Sequence, residues 1–167
     1  VWDPTKGDQV WTALAAPDAA EAFAAIGRLQ ALPTDAAAFL KARVTVPDGP
    51  TPEWVAKRIR ALDAPLYRDR EKATADLARV GAVIEGQLRD ALATAPAEAR
   101  ERLKGLLAKA EAMMPDKLRI VRACEVLEGI GSTEARDVLT VWARGPLGAG
   151  LTREAAESLA RLKERGK

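Results

Sequence analysis

The chain has 167 residues, of which 48% are hydrophobic, 4% aromatic and 30% charged, and its formal net charge is +2. That length suits one domain, and so small a charge excess lacks the clustered basic footprint of a nucleic-acid-binding surface. The chain contains no histidine and a single cysteine, which excludes Ser-His-Asp and Cys-His catalysis, histidine-ligated metals and an internal disulfide. We therefore predict no enzyme activity, no catalytic residue, no metal site and no cofactor.

The first seven residues predict the end of a β-strand followed by a turn, and the alternative is an ordinary disordered terminus. The segment VWDPTKG (residues 1–7) resembles the closing strand of a WD40 propeller blade, whose repeats commonly end in Trp-Asp and a turn with threonine and glycine. A blade needs about 40 residues, so no complete blade fits here. The resemblance implies that residues 1–8 are the remnant of a preceding WD40-like strand or a linker. Because the chain starts at Val1 rather than at a methionine, we expect a truncated N-terminus.

From residue 9 onward the chain predicts helices separated by prolines and glycines. Asp18 and Glu21 form a capping box before the first long helix, in which the aspartate accepts hydrogen bonds from first-turn amides. The apolar residues of that helix follow at helical spacing: Phe23, Ile26, Leu29 and Leu32. Thr34 is expected to cap the next helix. Thr51 and Pro52 predict another start, with threonine as N-cap and proline at the first helical position.

The central stretch from Tyr67 to Leu92 predicts two helices joined by a tight turn at Gly81. Two further helices follow over about 97–114 and 115–130, and Cys124 is expected to be a small core residue of the second. Ser132 is predicted to cap a helix with an apolar face made of Ala135, Val138, Leu139 and Trp142. Thr152 is predicted to cap the last helix. The total is nine or ten helices, so the predicted class is all-α.

An internal repeat is visible when the helix ends are aligned. Three segments superpose without gaps: Ala25-x3-Leu29, Ala73-x3-Leu77 and Ala123-x3-Leu127. Their leucines are separated by 48 and 50 residues, near the period of HEAT and armadillo repeats. A helix breaker follows each copy, and an arginine precedes the alanine by about one turn in the second and third copies, at Arg70 and Arg119. The alternative is that amphipathic helices rich in alanine and leucine align by chance.

The second copy, RDREKATADLARVG (residues 68–81), resembles the second helix of a HEAT repeat, with its Arg-x2-Ala-x3-Leu pattern ending in glycine. More broadly, the chain resembles the C-terminal helical region that follows WD40 propellers in planctomycete-type bacterial proteins. That resemblance is carried by WDPTKG, ALDAPLYRDREKATADLARVG, LRIVRACEVLEGIGSTEARDVL and LTREAAESLARL. It implies a single helical-repeat domain over residues 9–167, built as an α-solenoid of HEAT- or armadillo-like repeats. Grouping of the helices in twos or in threes stays open.

A short basic cluster beside a tryptophan is the candidate interaction surface: Trp54, Lys57, Arg58, Arg60 and Arg68. It is either a phosphate-binding strip or, as we favour, a solvated face balanced by the acidic residues Asp63, Asp69, Glu71 and Asp76. The other tryptophans divide by position. Trp142, like Trp54, is expected to pack in or at the edge of the core, whereas Trp2 and Trp11 are candidates for contact with a preceding domain.

These features favour a non-enzymatic protein–protein interaction or scaffolding module, the C-terminal part of a larger WD40-repeat protein. Its partner would be another protein or a neighbouring propeller. The alternative is a nucleic-acid-binding HEAT-like repeat of the DNA-glycosylase kind, for which Trp54 with Asp63 is the nearest pairing of an aromatic ring and a carboxylate. No apolar run approaches the ~20 residues that a membrane span needs. The sequence leaves localisation open, with the cytoplasm favoured.

Overall fold

The computed structural model describes residues 4–46, 48–111, 114–146 and 148–166. Within these ranges the chain forms ten α-helices and no strand, which confirms the all-α prediction. The helices are α1 (Pro4–Ala13), α2 (Ala19–Gln30), α3 (Pro33–Arg43), α4 (Pro52–Ala61), α5 (Tyr67–Val80), α6 (Glu85–Leu92), α7 (Ala97–Glu111), α8 (Met114–Ile130), α9 (Thr133–Ala143) and α10 (Gly150–Arg165).

The strand predicted over residues 1–7 is wrong where the structure describes it. Residues 4–7 belong to the first turns of α1, whereas Val1–Asp3 lie outside the described residues. Proline is compatible with a helix start because its missing amide would have no partner there. Val10 and Leu14, one turn apart, are 5% and 0% exposed, so burial of a helix face outweighs the strand-like local pattern. The origin of residues 1–8 in a propeller stays a prediction.

The contacts of the chain divide it into two compact units. Unit 1 comprises Val1–Val46, Met114–Arg144 and Leu151–Lys167, and unit 2 comprises Pro47–Met113 and Gly145–Gly150. Unit 1 is therefore assembled from segments that are far apart in the sequence. Two compact units can still fold together as one domain, so the single helical-repeat domain over residues 9–167 stays a prediction.

Unit 1 is built around α2 and α8. Helix α2 packs on α1, α3 and α8, and α9 packs on α3 and α8. The largest fully buried side chains of this core are Leu14, Leu29, Leu40, Leu127, Leu139 and Trp142. Cys124 is 0% exposed among them, which confirms its assignment to the core.

Unit 2 is a smaller cluster of α4, α5, α6 and α7. Helix α5 packs on α4 and α7, and α6 packs on α4 and α7. Its largest fully buried side chains are Val55, Leu62, Leu77, Ile84, Leu88 and Leu103. The loop Gly145–Gly150 belongs to this unit, where the Gly86 amide donates a hydrogen bond of 3.2 Å to the Gly148 carbonyl at the start of α6.

Three of the predicted helix caps are confirmed. Asp18 accepts hydrogen bonds from the amides of Ala20 and Glu21, at 2.7 and 3.1 Å. Thr51 accepts one from the amide of Trp54, and Ser132 accepts one from the amide of Ala135, each at 3.3 Å. Each of these side chains satisfies a donor that has no partner within its helix.

The two other predicted caps are wrong. Thr34 lies inside α3, which begins at Pro33 after Leu32 and has no side-chain cap. Thr152 lies inside α10, which begins two residues earlier, and it is only 6% exposed. In α3 the proline sets the helical φ at the first position, and the residue before it, Leu32, has no side chain that can accept a hydrogen bond.

The apolar stripe of α2 is rotated from the predicted one. Phe23 is 75% exposed, and the buried face consists of Ala22, Ala25, Ile26 and Leu29. Two alanines on this face allow neighbouring helices to approach closely, which a phenylalanine at the same place would prevent. The alanine and leucine of all three aligned copies are at most 1% exposed.

Candidate interaction surface

Two helix stripes in unit 2 lie side by side and carry several cationic side chains. On α5 the residues Arg68, Lys72, Asp76 and Arg79 follow one another at positions i, i+4, i+8 and i+11, which places them on one helix face. On α4 the corresponding stripe contains Trp54 and Arg58 at positions i and i+4, with Lys57 beside them. We call these seven residues the α4–α5 basic face.

Asp76 joins the two stripes. Its carboxylate lies 3.1 Å from Nε of Arg58 on α4 and 2.6 Å from a terminal nitrogen of Arg79 on α5. The Asp76 side chain is 13% exposed, so its carboxylate is largely shielded from water, whereas the Arg79 side chain is exposed. The Arg58 guanidinium also lies over the Trp54 ring, 5.3 Å from its centroid, within the range of a cation–π contact. The bridge therefore fixes Trp54, Arg58 and Asp76 relative to one another and neutralises the one carboxylate of the face.

The remaining cations of the face are free for a partner. Lys57 and Lys72 are exposed, and within the described part of the chain neither forms an ion pair. Arg68 has an 82% exposed side chain, and its nearest carboxylate oxygen is 3.8 Å away on the adjacent Asp69. Five cationic side chains thus share the face with Asp76 and border on Asp69, which leaves an excess of positive charge.

The structure places most, not all, of the predicted surface residues together. Trp54, Lys57, Arg58 and Arg68 belong to the α4–α5 basic face. Arg60 is exposed but follows Arg58 by two positions, so it points about 200° away around the helix. Whether these residues bind anything stays a prediction. Arg79 is absent from the predicted set, although its i+11 spacing from Arg68 is the signal that identifies it.

The opposite side of α5 has a different character, because its charges are paired. Tyr67 is 65% exposed, and the guanidinium groups of Arg70 and Arg102 lie 5.7 and 6.0 Å from its ring centroid. Arg102 contacts Glu71 at 2.7 Å and Glu98 at 3.0 Å. The hydrogen bond from Arg102 holds the pKa of the Glu71 carboxyl below its usual value. These ion pairs stabilise helix packing and leave little net charge to attract an ion.

Unit 1 contains a cleft of about 410 Å³ with charged walls. The residues that line it are Gln30, Val121, Glu125, Glu128, Gly129, Glu154, Arg161 and Arg165. Glu128 is 7% exposed and forms ion pairs of 2.8 Å with Arg161 and 2.9 Å with Arg165. Arg161 also lies 3.5 Å from Glu154. These ion pairs join α8 to α10 along the cleft.

Burial and pairing act in opposite directions on Glu128. Burial alone raises the pKa of the Glu128 carboxyl, but the hydrogen bond and charge of Arg161, together with Ser158 and Arg165, outweigh it. The pKa of Glu128 therefore lies below its usual value, so the carboxylate is ionised at neutral pH.

Two of the other tryptophans differ in outcome. Trp142 is 1% exposed, which confirms it as a core residue. Trp11 packs against the core of unit 1, with Phe39 in an edge-to-face arrangement at 6.2 Å and the Arg119 guanidinium 5.0 Å from its ring centroid. The Trp11 ring is half-buried in these contacts, and its predicted contact with a preceding domain stays a prediction. Trp2 lies outside the described residues.

The other predicted pairing does not come together. Asp63 is exposed in the turn after α4, nine residues from Trp54, and the Trp54 ring is covered by Arg58. From Trp54 to the end of α4 the helix rises about 10 Å, and Asp63 follows two residues later, so the ring and the carboxylate lie toward opposite ends of α4.

Burial raises the pKa of the Cys124 thiol to about 12, so the thiol is neutral at physiological pH. Among the residues that the structure describes, no group of three His, Cys, Asp or Glu side chains is placed to hold a metal ion. None of the described helices has the length and apolar character to cross a bilayer.

Compared with protein-family models, with curated proteins and with solved structures, the chain has no significant match. The resemblance to HEAT-like repeats and to helical regions that follow WD40 propellers therefore stays a prediction from the residues that carry it.

Proposed function

We propose that this chain is a non-enzymatic interaction or scaffolding module that binds another protein through the α4–α5 basic face. The observation that carries the proposal is the contrast between the two sides of α5. One side pairs its cations with carboxylates, whereas the other exposes Arg68 and Lys72, with Lys57 of the adjacent α4, without a strong carboxylate partner. Exposed unpaired charges of one sign steer a complementary partner to a surface and fix its orientation.

We also propose that the three aligned copies are related helical repeats of the HEAT or armadillo kind. Support comes from the alanine and leucine of each copy, which are buried in all three. The packing of α2 against α8 joins the first and third copies, a contact that an extended stack of sequence neighbours does not make. We therefore propose related repeats that fold back on one another. Such a module would suit the C-terminal part of a larger WD40-repeat protein, with a neighbouring propeller as one candidate partner.

A protein partner is favoured over nucleic acid by the extent of the positive charge. Proteins that bind duplex DNA make about 6–10 phosphate contacts along a continuous surface. The α4–α5 basic face has five cations, two of which already contact Asp76, and its other border is the ion-paired surface around Tyr67. The Arg58 guanidinium lies 5.3 Å from the Trp54 ring centroid and competes with a base for that face of the ring.

Site-specific photocross-linking tests this proposal. Ala75 is exposed on α5 between Lys72 and Arg79, so a photoreactive side chain there leaves every charge of the face in place. Ala108, exposed on α7, is the matched control. In cells of the source organism we expect a discrete protein adduct from position 75 and none from position 108. An adduct removed by nuclease would favour the nucleic-acid alternative, and the same adducts from both positions would contradict the proposal.

A further inference from the structure

The interval between Arg68 and Lys72 on α5 matches the repeat of an extended peptide. Arg68 and Lys72 are four residues apart on the helix, which corresponds to a rise of about 6 Å, and Arg68 to Arg79 spans about 16 Å. Side chains on one face of an extended peptide recur every second residue, at about 6.6 Å, so carboxylates at the first, third and fifth positions span about 13 Å. The first two carboxylates match Arg68 and Lys72, and the third ends about 3 Å short of Arg79 along the axis, within reach of that long, exposed side chain.

We propose that the α4–α5 basic face binds a short acidic peptide in extended conformation, with carboxylates at alternate positions. This inference rests on the proposed protein-binding function and names the chemistry of the partner. The first two carboxylates contact Arg68 and Lys72 on α5. The third lies near Arg79, whose side chain is 73% exposed despite its contact with Asp76. Lys57 on α4 borders the same strip and adds to its positive potential.

The chemistry of the face favours charge recognition over an apolar anchor. The large hydrophobic side chains that the structure leaves exposed are Phe23, Leu66, Tyr67, Val121 and Val141, and none belongs to this face. An amphipathic helix needs several apolar anchors, and the face has one large apolar side chain, the half-buried Trp54. Binding through a few exposed ion pairs is weak, with a dissociation constant on the order of 1 mM for a peptide this short, and salt screens it.

Amide chemical shifts of the full chain suit so weak an interaction. The probe is the capped peptide Glu-Ser-Glu-Ser-Glu, titrated into ¹⁵N-labelled protein at about 20 mM salt, where screening is small. We expect concentration-dependent shifts confined to amides of residues 54–58 and 68–79. These shifts should be largely lost at about 300 mM salt.

Matched charge reversals separate local binding from net charge. Arg68→Glu with Lys72→Glu should abolish the shifts, because it reverses the two freest cations of the α5 stripe. Lys104→Glu with Lys109→Glu, at exposed positions of α7, changes the net charge equally and should preserve them. The dispersion of each spectrum reports whether the variant is folded.

Several outcomes would overturn the inference. These are equal shifts with the peptide Lys-Ser-Lys-Ser-Lys, binding that survives the Arg68 and Lys72 reversals, and tighter binding of a ten-nucleotide oligothymidine to the same amides. Absence of peptide binding with a protein adduct at position 75 would overturn the acidic-peptide inference alone. Absence of both would also overturn the proposed function.

Discussion

The two units use the same sequence pattern to make different connections. In unit 2, Arg70 of the second repeat copy donates hydrogen bonds of 2.8 and 3.0 Å to the carbonyls of Ala64 and Pro65, just before its own helix. In unit 1, the equivalent Arg119 donates one of 3.1 Å to the carbonyl of Trp11, more than a hundred residues earlier in the chain. The first contact is local, and the second joins distant segments.

In both units the arginine donates to backbone carbonyls outside its own helix. The two carbonyls that accept from Arg70 lie in the turn between α4 and α5, whereas that of Trp11 lies in the last turn of α1. A carbonyl in the last turn of a helix has no partner within that helix, and a cation there also offsets the negative end of the helix dipole. Arg122 also donates hydrogen bonds of 2.9 and 2.6 Å to the carbonyls of Leu14 and Ala16 after α1. The pattern therefore predicts an arginine bound to carbonyls of a preceding segment, without specifying which segment.

The units also differ in where they place their charges. In unit 1, Glu128 is 7% exposed and is held by two arginines of α10. In unit 2 the free cations lie on an exposed face, around the bridge formed by Asp76. Buried pairs of the first kind depend on complete pairing and do not tolerate loss of a partner. The difference indicates that unit 1 uses its charges for stability and that unit 2 is the better candidate for binding.

The largest expected effect comes from a charge placed in either core. Leu127 in unit 1 and Leu77 in unit 2 are both 0% exposed, so Leu127→Asp or Leu77→Asp buries a carboxylate with no partner. We expect each to cost about 5 kcal/mol or more and to unfold at least its own unit. Thermal unfolding followed by circular dichroism measures this. The controls Val141→Asp and Leu66→Asp, at positions 51% and 52% exposed, should melt near the wild type.

Cys124 reports whether the two units unfold together. It lies in unit 1 and is 0% exposed, so it should resist a thiol reagent while unit 1 is folded. A single cooperative domain predicts that Leu77→Asp in unit 2 also exposes Cys124 to labelling. Loss of helix signal in Leu77→Asp with Cys124 still protected would contradict the single-domain prediction.

The sequence was informative where a short segment determines the structure. The capping residues Asp18, Thr51 and Ser132 are confirmed, because a cap depends only on the next three residues. Thr34 and Thr152 are threonines like the cap Thr51, but they lie inside helices. Their helices begin one and two residues earlier, so neither threonine stands at the capping position. Residue type alone therefore identifies a possible cap, and the helix start decides whether it is used.

The sequence was less informative where distant segments determine the structure. The exposed Phe23 and the pairing of α2 with α8 depend on which helices meet, and many amphipathic helices could satisfy the same apolar pattern. The candidate surface shows the same limit. Trp54 and Arg58 were predicted together from their position on one helix, whereas the bridge to Asp76 depends on the register between α4 and α5.

A smaller effect should follow from removing the charge of Glu128, which holds the ion-pair network of unit 1. Glu128→Gln in unit 1 should cost about 1–3 kcal/mol, since it weakens hydrogen bonds to charged groups in a buried setting. Because the folded-state pKa of Glu128 is lowered, its contribution is complete above the usual carboxyl pKa of 4.5 and is lost as the pH falls through the folded value. Urea unfolding at several pH values should therefore show wild type and Glu128→Gln converging in acid. A difference that grows in acid would contradict this assignment.

The smallest effects compare the two glycines with positive φ. Gly131 after α8 has φ +61°, and a methyl group there would meet Leu162 at an ordinary 3.5 Å, so Gly131→Ala should cost about 1 kcal/mol. Gly148 in the loop of unit 2 has φ +95°, where the added carbon would also approach Gln87 to 3.2 Å, so Gly148→Ala should cost about 2 kcal/mol. The helical controls Gly27→Ala and Gly105→Ala, with open space around them, should stabilise by up to about 1 kcal/mol. Urea unfolding measures all four variants, and equal costs at 131 and 148 would mean that the loop of unit 2 relaxes around the new side chain.

The Gly148→Ala variant should also loosen the start of α6, because the Gly148 carbonyl accepts a hydrogen bond from the Gly86 amide. Faster hydrogen exchange at the Gly86 amide than in the wild type is the specific signature of this strain.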